Sequence, residues 1–212
     1  MKTSIKTKGQ GRLFENPVLE FFTKSTLLGS TLSSVAISVF CIWFGFWLGA
    51  PHTPMQVFGW FIGGFAVWSF FEYVLHRYLF HIAENAFPGS KRLQYVLHGV
   101  HHEYPNDAQR TLLPTLPKIL FTIPFFALYY SIFGKAGAFF SSGFLMGYYV
   151  YSLIHYSIHR FKAPKLLKPL WEHHHRHHHL TDDKAFGVSS TLWDRVFGTM
   201  PEKVNAHKVV EK

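Results

Sequence analysis

Apolar residues run along this chain in four long blocks, and the polar positions that interrupt them are few and gathered at the block ends. A helix that crosses a bilayer needs about 20 residues at roughly 1.5 Å each, a length met by Leu27 to Leu48, Val57 to Leu75, Leu116 to Phe133 and Ala136 to Ile158. The first block carries no charge. The second closes on Glu72 and His76, and the fourth on His155 with His159 just beyond. Glycines recur in the second and fourth (Gly59, Gly63, Gly64; Gly143, Gly147), as expected where membrane helices pack closely. The pattern predicts an all-α integral membrane protein with four transmembrane helices. Each half holds a pair of spans followed by an H-x2-HH cluster, but no repeat with a period of 20 to 50 residues is evident.

Basic residues orient the bundle. Lys2, Lys6, Lys8, Arg12 and Lys24 precede the first span, Lys91, Arg92 and Arg110 lie between the second and third with Lys118 at the start of the third, and Arg160, Lys162, Lys165 and Lys168 follow the fourth. By the positive-inside rule both termini and the central loop face the cytoplasm, in a bacterial inner membrane or an endoplasmic reticulum membrane. The start of the chain is too polar and its first apolar run too long for a cleaved signal peptide, so that span is read as retained. The expected organisation is a cytosolic segment over 1–26, one unit holding the four spans and the histidine clusters over 27–200, and a tail over 201–212.

Composition agrees. Charged residues make up 16% of the chain, against roughly 25% in an average soluble domain, which points to lipid as solvent. The formal charge of +9 is spread along the flanks of the apolar blocks rather than set in an isolated stripe, so no nucleic-acid partner is expected. Cys41 stands alone inside an apolar run, which excludes a disulfide framework and a cysteine-based zinc site. Any metal is therefore held by nitrogen or oxygen.

Ten of the fifteen histidines supply that nitrogen in four clusters: His76 and His81; His98, His101 and His102; His155 and His159; and a set within the run His173 to His179. Imidazole is the commonest metal ligand, and spacings of three or four put ligands on one helical face. His155 and His159 satisfy that spacing, as do His98, His101 and His102. His76 and His81 are five apart, about 140° around a regular helix, so the helix is expected to bend or stop between them. The last run allows two registers, His174, His177 and His178 or His175, His178 and His179. A lone interfacial histidine is well explained as a headgroup contact, and an isolated run as a loose metal tract; four clusters on one membrane face are not.

Ten imidazoles divide into two metal ions with about five ligands each, leaving one open position if coordination is octahedral. Structural zinc is satisfied by four ligands, so the count favours an open, redox-active pair. Iron suits imidazole and activates oxygen where zinc cannot. Tyr148 and Tyr151 lie seven and four residues before His155, on its face and deeper in the bilayer, where they read as substrate-binding or as belt anchors. Glu72, Glu103, Asp107, Glu172, Asp182 and Asp183 are candidates to receive the second N–H of the ligand rings.

The clusters, taken in order with Asn16-Pro17-Val18-Leu19-Glu20, Glu72 to His81, His98-Gly99-Val100-His101-His102, Phe186-Gly187-Val188-Ser189-Ser190 and Leu192-Trp193-Asp194, closely resemble the fatty acid hydroxylase superfamily, and within it the sphingolipid fatty acid 2-hydroxylases. The resemblance selects His174, His177 and His178, with His173, His175 and His179 outward-facing or supporting. It implies four membrane helices under a cytosolic helical cap that carries a dinuclear centre, and oxygen-dependent hydroxylation at carbon 2 of an acyl chain, in ceramide or as the free acid. Family members have been seen with zinc in the site. Many eukaryotic relatives carry an N-terminal cytochrome b5 domain that is not evident here, so a separate donor of cytochrome b5 or ferredoxin type, with its reductase, is expected. Some relatives have an aspartate where this chain has Ser152, a departure that bears on substrate choice. Two alternatives stay open: sterol or carotenoid hydroxylation or desaturation within the superfamily, and a non-catalytic histidine-rich metal carrier.

Overall fold

The computed structural model describes residues 5–50 and 53–202, which are helical with no strand among them. Lys2 and residues 203–212 of the expected tail lie outside the described residues. The helices are α1 (Pro17–Phe21), α2 (Leu27–Trp47), α3 (Pro54–Leu75), α4 (Ser90–Gln94), α5 (Val100–Glu103), α6 (Thr115–Phe133), α7 (Gly137–Arg160), α8 (Lys168–His179) and α9 (Leu192–Val196). Thr26 caps α2 by accepting from the Gly29 amide, and Thr53 forms a capping box with Gln56 ahead of Pro54 in α3. These side chains satisfy amides that the first turn leaves free.

Three helical runs are long and apolar enough to cross a membrane: Leu27–Trp47, Pro54–Phe80 and Thr115–Arg160. The third is folded back on itself. Gly134, at φ +58°, turns the chain between α6 and α7, and Tyr129 then packs on Phe140 and Phe125 on Phe144, with ring centroids 4.6 and 5.0 Å apart.

α7 is the central helix. A Cβ on Gly143 would collide with the Phe61 carbonyl and one on Gly147 with the Trp68 side chain, so α3 and α7 run parallel with their backbones in near contact. α2 runs the other way: Ser38 meets Ser142 at 2.7 Å, and the Tyr149 hydroxyl donates to Thr31 at 2.9 Å. The starts of α2 and α6 and the ends of α3 and α7 therefore gather at one end of the bundle.

The packing is inverted relative to a soluble protein. The buried face of α2 is Ser30, Ser34, Ser38, Cys41 and Gly45, whereas Leu32, Val39 and Trp43 are more than half exposed. Small and hydroxylated residues inside with large apolar ones outside is the arrangement lipid favours. Lys118 departs from its expected place among the flanking charges. It is buried, and its Nζ donates to the Ser30 carbonyl and to the hydroxyls of Ser30, Ser33 and Ser34 at 2.8–3.1 Å.

The N-terminal segment is strapped across the cap. The Gly11 amide donates to Asp107 at 3.0 Å, and the Arg110 guanidinium donates to the Gly11 and Thr23 carbonyls while pairing with Glu20.

Candidate metal centre

α3 does not end at Leu75 but loosens into a π-helical turn, His76–Phe80, closed by the His81 amide donating to the His76 carbonyl at 3.2 Å. A π turn closes on residue i+5 rather than i+4. His76 and His81, which a regular helix would splay, thereby come together with ring centroids 5.1 Å apart. A second π turn, Tyr95–Gly99, leads into α5 and carries His98 to His101 and His102. α7 supplies His155 and His159 near its end, and α8 supplies His174, His177 and His178 from one buried face. His175 and His179 are exposed, while His173 is buried against Asp194 at 3.0 Å.

The ten imidazoles assemble as two groups of five, His76, His81, His98, His102 and His177 in one and His101, His155, His159, His174 and His178 in the other, each with one nitrogen per ring within 4.8 Å of the others. The groups do not follow the sequence clusters. Each H-x2-HH motif is divided, so that His177 joins four histidines from the first half of the chain and His101 joins four from the second. Neither group is built from one half of the chain alone.

Converging nitrogens suit a cation. His174 Nε2 lies 3.0 Å from Nε2 of both His159 and His178, yet a neutral ring with one N–H has a single proton to give. Nitrogens bound at right angles about 2.1 Å from one ion stand ~3.0 Å apart, the separation also found between Nε2 of His76 and His98. Nε2 of His81, His102 and His177 and both ring nitrogens of His101 are buried without a protein partner, a costly arrangement unless something accepts their lone pairs. Burial first, then repulsion from neighbouring rings, pushes His98, His101, His102, His174 and His178 well below the usual histidine range; burial brings His177 down to about 4. The rings are thus neutral at physiological pH, the form that binds metal.

None of the acids singled out from the sequence receives an N–H from the ten rings. Glu103 pairs with Lys6 and Tyr95, Asp107 serves Gly11 and Gln109, and Glu172 pairs with Lys168. The acceptors are backbone carbonyls: His76 Nδ1 donates to Phe186 at 2.5 Å and His177 Nδ1 to Lys184 at 2.7 Å. Carbonyls carry no sequence signature. Asp194, the carboxylate that organises this region, was visible only as the end of Leu192-Trp193-Asp194.

Beside both groups lies a cavity of about 270 Å³, walled mainly by apolar residues including Leu75, Leu79, Val96, Leu97, Leu113 and Phe121. His98 of one group and His101 and His155 of the other line it, as do Tyr148, Tyr151 and Ser152.

A fatty acid hydroxylase family model matches residues 60–199. A dihydroceramide fatty acyl 2-hydroxylase of Arabidopsis thaliana is 36% identical over 203 residues, 93% of this chain and 83% of the relative. The ceramide very long chain fatty acid hydroxylase of Schizosaccharomyces pombe is 34% identical over 75% of this chain and 47% of its own length. The fatty acid 2-hydroxylase of Mus musculus is 31% identical over 92% and 58%. Among solved structures, the hydroxylase domain visible in full-length scs7p superposes with a TM-score of 0.80 at 30% identity, covering 92% of this chain and 74% of that one.

Proposed function

The chain belongs to the fatty acid hydroxylase family, and on that premise we propose that it is a membrane-bound, oxygen-dependent lipid hydroxylase acting at carbon 2 of the fatty acyl chain of a ceramide or of a free fatty acid. One observation carries the reading: two neighbouring groups of five neutral imidazoles open onto a single apolar cavity that touches both. Relatives named as acyl 2-hydroxylases support it over sterol or carotenoid oxidation. The absence of histidine from α2 and α6 speaks against a metal-carrying path across the membrane.

The ten histidines from His76 to His178 named above would hold two ions, with iron expected and zinc able to occupy the same nitrogens. When bound, a redox-active metal supplies the oxygen activation that breaking an unactivated C–H bond demands. The overall change is C–H plus O2, two electrons and two protons to C–OH plus water, with the electrons from a cytochrome b5- or ferredoxin-type donor and its reductase. The protein's own part is positional. Leu79, Val96 and Phe121 exclude water from the acyl chain, and Tyr148 and Tyr151 bind the substrate next to His155. α2, α3, α6 and α7 are the four spans, with the histidine end, the strap and both termini on the cytosolic face of a bacterial inner membrane or endoplasmic reticulum membrane. Segment 1–26, unit 27–200 and tail 201–212 follow from that topology.

The test is expression with a reductase system and mass spectrometry of extracted lipids. Acyl chains heavier by one oxygen at carbon 2 are expected; a gain confined to sterols or carotenoids would move the substrate, and no gain in any lipid would remove the activity.

A further inference from the structure

The two histidine groups are built differently around their edges. In the first, two rings are fixed from behind by the 184–189 loop, His177 through the Lys184 carbonyl and His76 through the Phe186 carbonyl. A carbonyl only accepts, so each ring carries its proton on Nδ1 and turns Nε2 to the centre. Between those carbonyls Ala185 sits at φ +61°, a left-handed conformation strained for a residue with a Cβ, and its amide is pinned to the Thr199 carbonyl at 2.8 Å.

The loop cannot relax that strain because two buried carboxylates take its next four amides. Asp194 accepts from Phe186 and Gly187 at 2.9 and 2.8 Å, and Glu72 from Val188 and Ser189 at 2.7 and 2.8 Å. Glu72 also accepts from the Ser189 hydroxyl, and Asp194 from Thr199 at 2.7 Å and His173 at 3.0 Å. Glu72 stands on α3 one turn before His76, so the helix that presents the ligand also holds the loop that orients it.

The second group has no such support. Its rings meet through Nε2 at 3.0–3.3 Å, as His76 and His98 do in the first, but Nδ1 of His101, His174 and His178 is buried without a partner. Among the described residues no carbonyl or carboxylate receives an N–H from this group. Partners behind the ligands raise metal affinity by about 10- to 100-fold.

We infer that the two metal positions are unequal: the loop held by Glu72 and Asp194 makes the His76 group the tight site and leaves the His155 group the exchangeable one. Glu72, Ser189 and Asp194 are positioning residues for the first ion. The inference rests on the reading of both groups as metal sites.

The full chain in detergent is loaded with zinc and dialysed against stepwise increasing chelator, with retained zinc per chain measured by mass spectrometry. The wild type is expected to lose one ion at about 10- to 100-fold less chelator than the other. His159→Ala should bind a single ion held as firmly as the wild type's second, and His81→Ala should keep only a weakly held one. Glu72→Gln should bring the two losses together, and Ser189→Ala, which deletes one hydroxyl and tests the same loop should Glu72→Gln fail to fold, should narrow the gap. Two ions released at one chelator concentration, equal retention by His81→Ala and His159→Ala, or an unchanged gap in Ser189→Ala would each overturn the asymmetry. A wild type that retains no zinc at all would instead sink the metal-site reading itself.

Discussion

His102 and His178 stand face to face, ring centroids 4.2 Å apart and planes inclined by 20°, and they belong to different groups of five. This stacked pair is the wall between the two positions.

His155 lies on both the second group and the cavity. His155→Ala is expected to lower hydroxylated lipid at least 100-fold with helix content preserved, as read by lipid mass spectrometry beside circular dichroism. Product at a tenth of the wild-type amount or more would take His155 out of the centre.

Gly143 faces the Phe61 carbonyl with no room for a side chain. Gly143→Ala must push α3 and α7 apart, an overpacking that costs about 1–3 kcal/mol. The melting temperature in detergent should fall, whereas Gly59→Ala, where nothing lies within 4 Å, should hold or raise it through helix propensity.

The metal-free protein should lose stability as pH falls. Burial lowers His177 from 6.5 to about 4 in the folded state, so between those values the unfolded chain binds more protons and unfolding gains. The midpoint of thermal unfolding is expected to drop steadily from pH 7 toward pH 4, and saturating zinc should raise the midpoint at pH 7 while leaving it falling with pH, because the unfolded chain still takes up the protons that the bound rings exclude. A midpoint independent of pH in the metal-free protein would contradict the burial of these rings.

Phe121 sits where the large cavity meets a smaller void of about 20 Å³ reaching toward Phe125 and Ser141. About seven residues, roughly 10 Å of helix, separate the level of His155 from that of Tyr148, which lines both spaces. Phe121→Trp should depress turnover of long acyl chains more than short ones, visible as a shift in product chain length. An unchanged distribution would place the acyl tail elsewhere.

Much of this was legible in the residues. Spacings of three and four put His155 with His159 and His98 with His102, and those pairs do share a group. The apolar blocks located all four long helices, and the choice of His174, His177 and His178 coincides with the buried face of α8. The division of the clusters was not legible: the spacing of His76 and His81 announces a break in α3, but nothing in a single sequence marks the π turn at Tyr95–Gly99 or sends His177 of the regular helix α8 to one group and His174 and His178 to the other. The partners of the histidine rings were also hidden: acidic side chains are the readable candidates, while the structure uses main-chain oxygens of a loop held by Glu72 and Asp194. Lys118 misled for a different reason. A positive charge beside an apolar block reads as a surface anchor, and only the three-dimensional meeting of α6 with the serine face of α2 buries it.

The exchange of His101 and His177 between the groups makes the two halves of the polypeptide depend on one another. A chain severed near Pro114 would yield fragments each left with four of the five donors for one ion and a stray donor for the other. Neither half of the chain completes a group of five until its counterpart has docked, so a metal ion that needs all five nitrogens would be held only by the assembled fold.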